Sequence, residues 1–204
     1  MTQRILGIDP GLTRCGVGVV DVGTARRCTL VHVDVVRTSV DSDLSQRLLT
    51  IGDAIERLLD EYGPEVVSIE RVFAEARNLN TVMGVAQITG IVLREAASRG
   101  IATELHTPSE VKAAVSGYGR AEKAQVQEMV RRILRLEKPP KPADAADALA
   151  LAICAGYQSP LAKLAPQSRN HGSIAAATQR PTTSAQEAWL AAEAAAKRGG
   201  RRLG

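Results

Sequence analysis

The stretch Arg4-Ile5-Leu6-Gly7-Ile8-Asp9-Pro10-Gly11 constrains this chain more than any other. Ile5, Leu6 and Ile8 make a short apolar run bounded by turn residues, which reads as a buried strand. Asp9 stands at its end, and Pro10-Gly11 stops the strand and turns the backbone. A carboxylate at the mouth of a sheet is desolvated on one side and open on the other, so it needs a cation or hydrogen-bond donors. Taken alone, Asp9 is most simply a turn cap that bonds to the backbone two residues on. The remainder of the chain decides what else it does.

Cys15 to Val22 reads as a second strand, thinned by Gly16 and Gly18, and Arg26 to Thr38 alternates well enough for a third. The short spacing predicts antiparallel hairpin connections. Asp41 or Ser42 is expected to cap a helix running to about Tyr62, with Leu44, Leu48, Ile51, Ile55, Leu58 and Leu59 at core-facing spacing. Gly63-Pro64 ends it. Val66 to Glu70 is the next strand, again with an acid at its end. Arg71 to Asn80 is a polar loop around Phe73, the only phenylalanine in the chain.

A helix is expected from about Thr81 to Ser98, stopped at Gly100, and then a strand from Ile101 to His106. Thr107, Pro108 and Glu110 form a helix start, with the threonine as cap and the glutamate closing a capping box. Ser116 to Arg120 is broken by glycines, Ala121 to Leu136 is a helix with a basic face, and Pro139, Pro140 and Pro142 form a rigid break. Ala143 to about Tyr157 is a helix of small residues, suited to lie very close to a sheet. Three early strands followed by alternating strands and helices define the α/β class with a mixed sheet.

From about Ser159 the composition changes. Pro160, Pro166 and Pro181 stand among Ser, Thr, Gln and Ala with little apolar periodicity. Residues 1–157 are therefore read as one domain and 158–204 as a tail, with a short helix expected over Gln186–Lys197. The chain is 45% hydrophobic but only 2% aromatic, so the core must be aliphatic. Three cysteines at spacings that suit no metal fit free thiols in a reducing cytosol. With no apolar run near 20 residues and no signal peptide, a soluble, cytoplasmic protein with no membrane partner is expected. The net charge of +4 is unevenly spread. From Gln158 onward there are 7 basic and 2 acidic residues, against 19 and 20 in the body. A polyanion site on the body must therefore come from local clustering.

Four acids stand out: Asp9 and Glu70 at strand ends, and Asp144 and Asp147 near the start of the last helix. The helix pair, three residues apart, shares a face with Cβ atoms ~5–6 Å apart. Acids in a first turn also suit the helix dipole, and alone the pair needs no other explanation. If the two strands are neighbours and the helix crosses their ends, however, all four converge. Two unit charges at 4 Å repel by ~4 kcal/mol at an effective dielectric of 20. Several such pairs are tolerable only with divalent cations between them. Hard oxygen donors select Mg2+ or Mn2+.

Between Glu110 and Lys141 there are 8 basic and 4 acidic residues. Lys112, Arg120 and Lys123 flank the glycine-broken segment and are candidates for binding phosphates. Arg131, Arg132 and Arg135 are adequately explained as a solvated helix face. Phe73 lies among Arg71, Arg77, Asn78 and Asn80, where it either stacks on bases of an opened DNA or anchors its loop in the core. His106, at a strand end, is most simply structural.

GIDPGLTRCG, IERVF, EVKAAVSGYGRAEKAQVQ and DAADALALAI, in this order and spacing, closely resemble the RuvC family of bacterial Holliday junction resolvases. The resemblance covers residues 4 to about 157. It implies a ribonuclease H-like fold, a five-stranded mixed sheet flanked by helices. It also implies a homodimer that nicks two opposed strands of four-way junction DNA, leaving 5′-phosphates, with RuvA and RuvB as partners. Asp9, Glu70, Asp144 and Asp147 resemble the family's Mg2+-binding acids, with two ions per subunit expected, Asp9 bridging them, and Mn2+ able to substitute. Some members have His at the position of Asp144, which leaves its role as ligand or base open. Phe73 resembles the aromatic that stacks at the junction centre, and Lys112 and Lys123 resemble DNA-contacting lysines. The tail matches nothing in the resemblance.

Two rivals remain on the residues alone. An actin-like or sugar-kinase ATPase also uses an Asp-x-Gly turn at a strand end, but needs a second lobe that this chain lacks. A non-catalytic branched-nucleic-acid-binding module gains nothing from carboxylates facing phosphates.

Overall fold

Runs rich in valine and isoleucine, joined by links too short for a crossover, can only return as hairpins. In the computed structural model, which describes residues 2–71 and 79–159, β1 (Thr2–Asp9), β2 (Arg14–Gly23) and β3 (Cys28–Arg37) form that antiparallel meander. Arg4 faces Asp21 across the β1–β2 pair and grips it through two hydrogen bonds of 2.7 and 2.9 Å. Helix α1 (Leu44–Tyr62) carries the chain back to β4 (Val66–Glu70), parallel to β1, and α2 (Leu79–Ser98) carries it on to β5 (Ala102–His106), parallel to β4. The sheet order is β3-β2-β1-β4-β5. Three more helices follow: α3 (Pro108–Ser116), α4 (Lys123–Ile133) and α5 (Ala143–Gln158). The mixed five-stranded sheet expected from the sequence is thus present.

Alternation along the strands splits the core in two. Leu6, Ile8, Val17, Val67 and Ile69 pack with Ile51, Ile55 and Ile88 of α1 and α2. Ile5 and Val20 pack on the other face with Leu149 and Ile153 of α5, and with Val111 and Val126 of α3 and α4. Asp9 continues the phase of Ile5 and Gly7, so it emerges on the α5 face.

Several boundaries differ from expectation. Helix α1 begins after Asp43, not at a cap by Asp41 or Ser42, because the Asp41 amide and carboxylate engage Ser39 in a local turn. Leu44, expected in the core, is 45% exposed, since the buried residues of α1 begin only at Ile51. Helix α4 starts two residues later than Ala121, where Glu122 and Gln125 form a capping box. It ends before Leu136 because Arg135 adopts a left-handed φ of 55°. The α3 start is as expected: Thr107 Oγ1 accepts from the Glu110 amide at 3.2 Å, and Glu110 Oε2 accepts from the Thr107 amide at 2.7 Å. Phe73, Arg77, Asn78 and the Gln186–Lys197 segment lie outside the described residues. No helix among the described residues is long and apolar enough to cross a membrane.

Candidate active site

Strand register brings the first two acids together. β1 and β4 pair Ile8 with Ile69, so Asp9 and Glu70 are the next residues on two adjacent parallel strands. On its other side Asp9 faces Gly16 of β2, and Glu70 faces His106 of β5. The side chain of Ser68, two residues before Glu70, donates to the Leu151 carbonyl at 2.9 Å. The alternation therefore points Glu70, like Asp9, toward α5.

Glycines seat the helix that supplies the other two acids. A Cβ at Gly7 would overlap the Ala148 carbonyl, one at Gly16 the Asp144 carbonyl, and one at Gly18 the Leu149 side chain. Only bare backbone lets α5 lie this close, and α5 answers with alanines: Ala145, Ala146, Ala148 and Ala152 are buried. The contact at Gly16, the partner of Asp9, sets the start of α5 beside the strand acid.

The electrostatics report the convergence. Asp9 is pushed up to about 7, first by burial, then by the charges of Glu70, Asp147 and Asp144, with Lys123 opposing. Glu70 is also raised, by burial and then by Asp147. Two cations answer the helix pair. Lys123 Nζ lies 2.9 Å from Asp147 Oδ2, and Arg14 Nε lies 3.1 Å from Asp144 Oδ2. The Arg14 contact is an ion pair without hydrogen-bond alignment, so this buried Asp144 oxygen keeps an unmet acceptor. Among the described residues, no three Asp, Glu, His or Cys side chains are grouped tightly enough to share one ion as they stand. The donor set nevertheless fits a hard divalent cation: oxygens only, an unmet buried acceptor, and two strand-end carboxyls, Asp9 and Glu70, raised by burial and by neighbouring acids.

The basic candidates divide. Lys112 and Lys123 line one cavity of about 320 Å3 with Glu70 and Asp147. Arg120 is exposed in the turn between α3 and α4. Arg71 extends the β4–β5 pairing through its amide, and its guanidinium reaches the Leu105 carbonyl at 3.5 Å. The sequence reading missed Arg14 and Arg47, which line a cavity of about 350 Å3 on the Asp144 side with Asn80 and Thr81. Arg47 is held by Thr38 Oγ1 and Thr13 Oγ1 at 2.9 and 2.8 Å. No local signal marks these arginines; only the hairpin and α1 bring them to the acids. Tyr118, 59% exposed between two glycines, was also missed, although an aromatic in a broken polar segment is the signal used for Phe73.

A five-stranded sheet in this order, with acids from β1, β4 and α5 at one end, defines a ribonuclease H-like fold. The family model "Crossover junction endodeoxyribonuclease RuvC" matches residues 5–155, and the chain belongs to that family. Relatives of this name from Leifsonia xyli and Clavibacter michiganensis are 58% and 59% identical, each over 95% of this chain and over 93% and 98% of the relative. The structure of Thermus thermophilus RuvC in complex with Holliday junction substrate is similar with a TM-score of 0.73 and 37% identity, covering 76% of this chain and 94% of that one.

Proposed function

We propose that this chain is a structure-selective endonuclease that resolves Holliday junctions in recombination and repair. Acting as a cytoplasmic homodimer, it nicks two opposed strands symmetrically and leaves 5′-phosphates. Residues 1–157 form the nuclease domain and 158–204 a tail, and RuvA and RuvB are its branch-migration partners. The observation that carries this reading is the meeting of Asp9, Glu70 and the start of α5 at one end of the sheet, in a chain whose family match runs over residues 5–155.

Asp9, Glu70, Asp144 and Asp147 would hold two Mg2+ ions, or Mn2+ in their place. When bound, such a pair supplies an activated water and charge stabilisation for phosphodiester hydrolysis. The protein's own groups prepare the site. Arg14 and Lys123 each balance one carboxylate of α5. Glu70 and Asp9 remain the poorly compensated pair, with both affinities for protons raised. Lys112, Arg120 and Lys123 bind the scissile strand's phosphates, with Arg71, Arg77, Asn78 and Phe73 acting at the opened junction centre.

The test is a synthetic four-way junction, compared with linear duplex, with and without Mg2+. Wild type should nick the junction alone and only with the metal. Asp9→Asn should abolish nicking while binding persists; normal cleavage by that variant would remove Asp9 from the mechanism.

A further inference from the structure

The end of the sheet remote from the acids carries a second charged site. The turn between β2 and β3, the end of α4 and the last turn of α5 enclose a cavity of about 690 Å3. Arg26, Arg27, Arg132 and Arg135 line it with Tyr157 and Cys28, and among the described residues no acidic one lies in its wall. The Arg26 guanidinium sits 5.1 Å from the Tyr157 ring centroid, a cation–π contact.

The solvated-face explanation suffices for Arg131, which pairs with Glu128 and reaches the Leu136 carbonyl. It fails for Arg135, which lies beyond the helix in left-handed backbone. Ala25, Arg26 and Arg135, with φ of 59°, 55° and 55°, are the non-glycine residues of positive φ among those described, and all three line this cavity. That conformation is unfavourable for L residues and persists where the surroundings impose it. Two separate turns thus hold strained backbone that gathers guanidinium groups. Arg132 shares Glu128 with Arg131. Among the described residues, no carboxylate forms an ion pair with Arg26, Arg27 or Arg135.

Helix α4 connects this cavity to the acids: Lys123 at its start pairs with Asp147, and Arg132 near its end lines the cavity. The eight residues of β1 separate the two ends, a distance of ~25 Å at 3.3 Å per residue. A duplex advancing 3.4 Å per base pair covers that in about 7 base pairs. We propose that the arginine cavity is a second backbone-phosphate site, which holds one arm of the branched DNA at that distance from the bond being cut. The inference rests on the nuclease reading for its substrate.

The test uses the full chain and hairpin-capped four-way junctions with arms of about 6 or about 20 base pairs, bound without divalent ions across a salt series. The double variant Arg26→Gln/Arg135→Gly removes two charges and gives glycine to a left-handed position. A thermal melt establishes that it folds, and Arg27→Gln is the second variant if it does not. Wild type should prefer the long-arm junction. The double variant should bind that junction about 10-fold more weakly, with a salt slope lower by about 2, and bind the short-arm junction within about 2-fold of wild type. Unchanged long-arm affinity and slope, equal loss on both junctions, or no arm-length preference in wild type would each overturn the proposal. Nicking of the short-arm junction by wild type with Mg2+ reports on the nuclease reading separately. Its failure there would strike that reading and leave the arm-length result standing.

Discussion

At the scale of single residues, the site is a set of charges held where they are least comfortable. Asp9 is the clearest case, its carboxyl pushed up to about 7 by burial and three neighbouring acids. Because the folded-state value lies above the unfolded one of ~3.9, the folded protein holds an extra proton between about pH 4 and 7. Asp9 therefore makes the protein less stable as pH rises through that window. In the absence of divalent ions, wild type should melt at lower temperature at pH 8 than at pH 5, on this account. Asp9→Asn should flatten that trend and gain about 2 kcal/mol or more at pH 8, roughly 4 °C in Tm. A variant melting below wild type at pH 8 would contradict the assignment of Asp9 as a strained acid. Phe73→Ala is expected to lower junction cleavage more than junction binding, measured by single-turnover nicking beside a gel-shift titration; an unchanged cleavage rate would leave Phe73 structural.

At the scale of elements, the closeness of α5 to the sheet matters more than any one of its side chains. Gly7, Gly16 and Gly18 leave no room for a Cβ beneath it. Gly16→Ala should push the start of α5 away, cost about 1–3 kcal/mol in denaturant melts, and reduce nicking further than binding, because Asp144 moves with the helix. Equal nicking at reduced stability would mean that the helix tolerates the shift. The Thr107 cap of α3 offers a contrast, being both far simpler and wholly local. Thr107→Ala should cost about 1 kcal/mol with a small effect on cleavage. Capping of this kind was legible because it involves residues three apart in the chain. The start of α1 was misplaced because neighbouring polar residues competed for its cap and a local turn engaged Asp41; that of α4 was placed two residues early because the Glu122–Gln125 capping box was overlooked.

For the whole molecule, an ion that joins the carboxylates should offset their repulsion. At pH 8, Mg2+ should raise the wild-type Tm in a concentration-dependent way, and Asp9→Asn should respond less. Chelation should stop nicking without unfolding the protein, measured by circular dichroism alongside the cleavage assay. The sequence by itself determined the order and type of the elements, the acids at two strand ends and one helix start, and the small residues that allow close packing. These follow from periodicity and turn chemistry, which act over a few residues. Only the tertiary structure decided that β1 lies between β2 and β4, and that Arg14 and Lys123 balance the helix acids. It also gathered arginines from the β2–β3 turn and the end of α4 at the opposite end of the sheet. Those partners lie far apart along the chain, and charge has no periodicity to announce them. Their meeting is set by strand register and by how closely a helix can approach bare backbone.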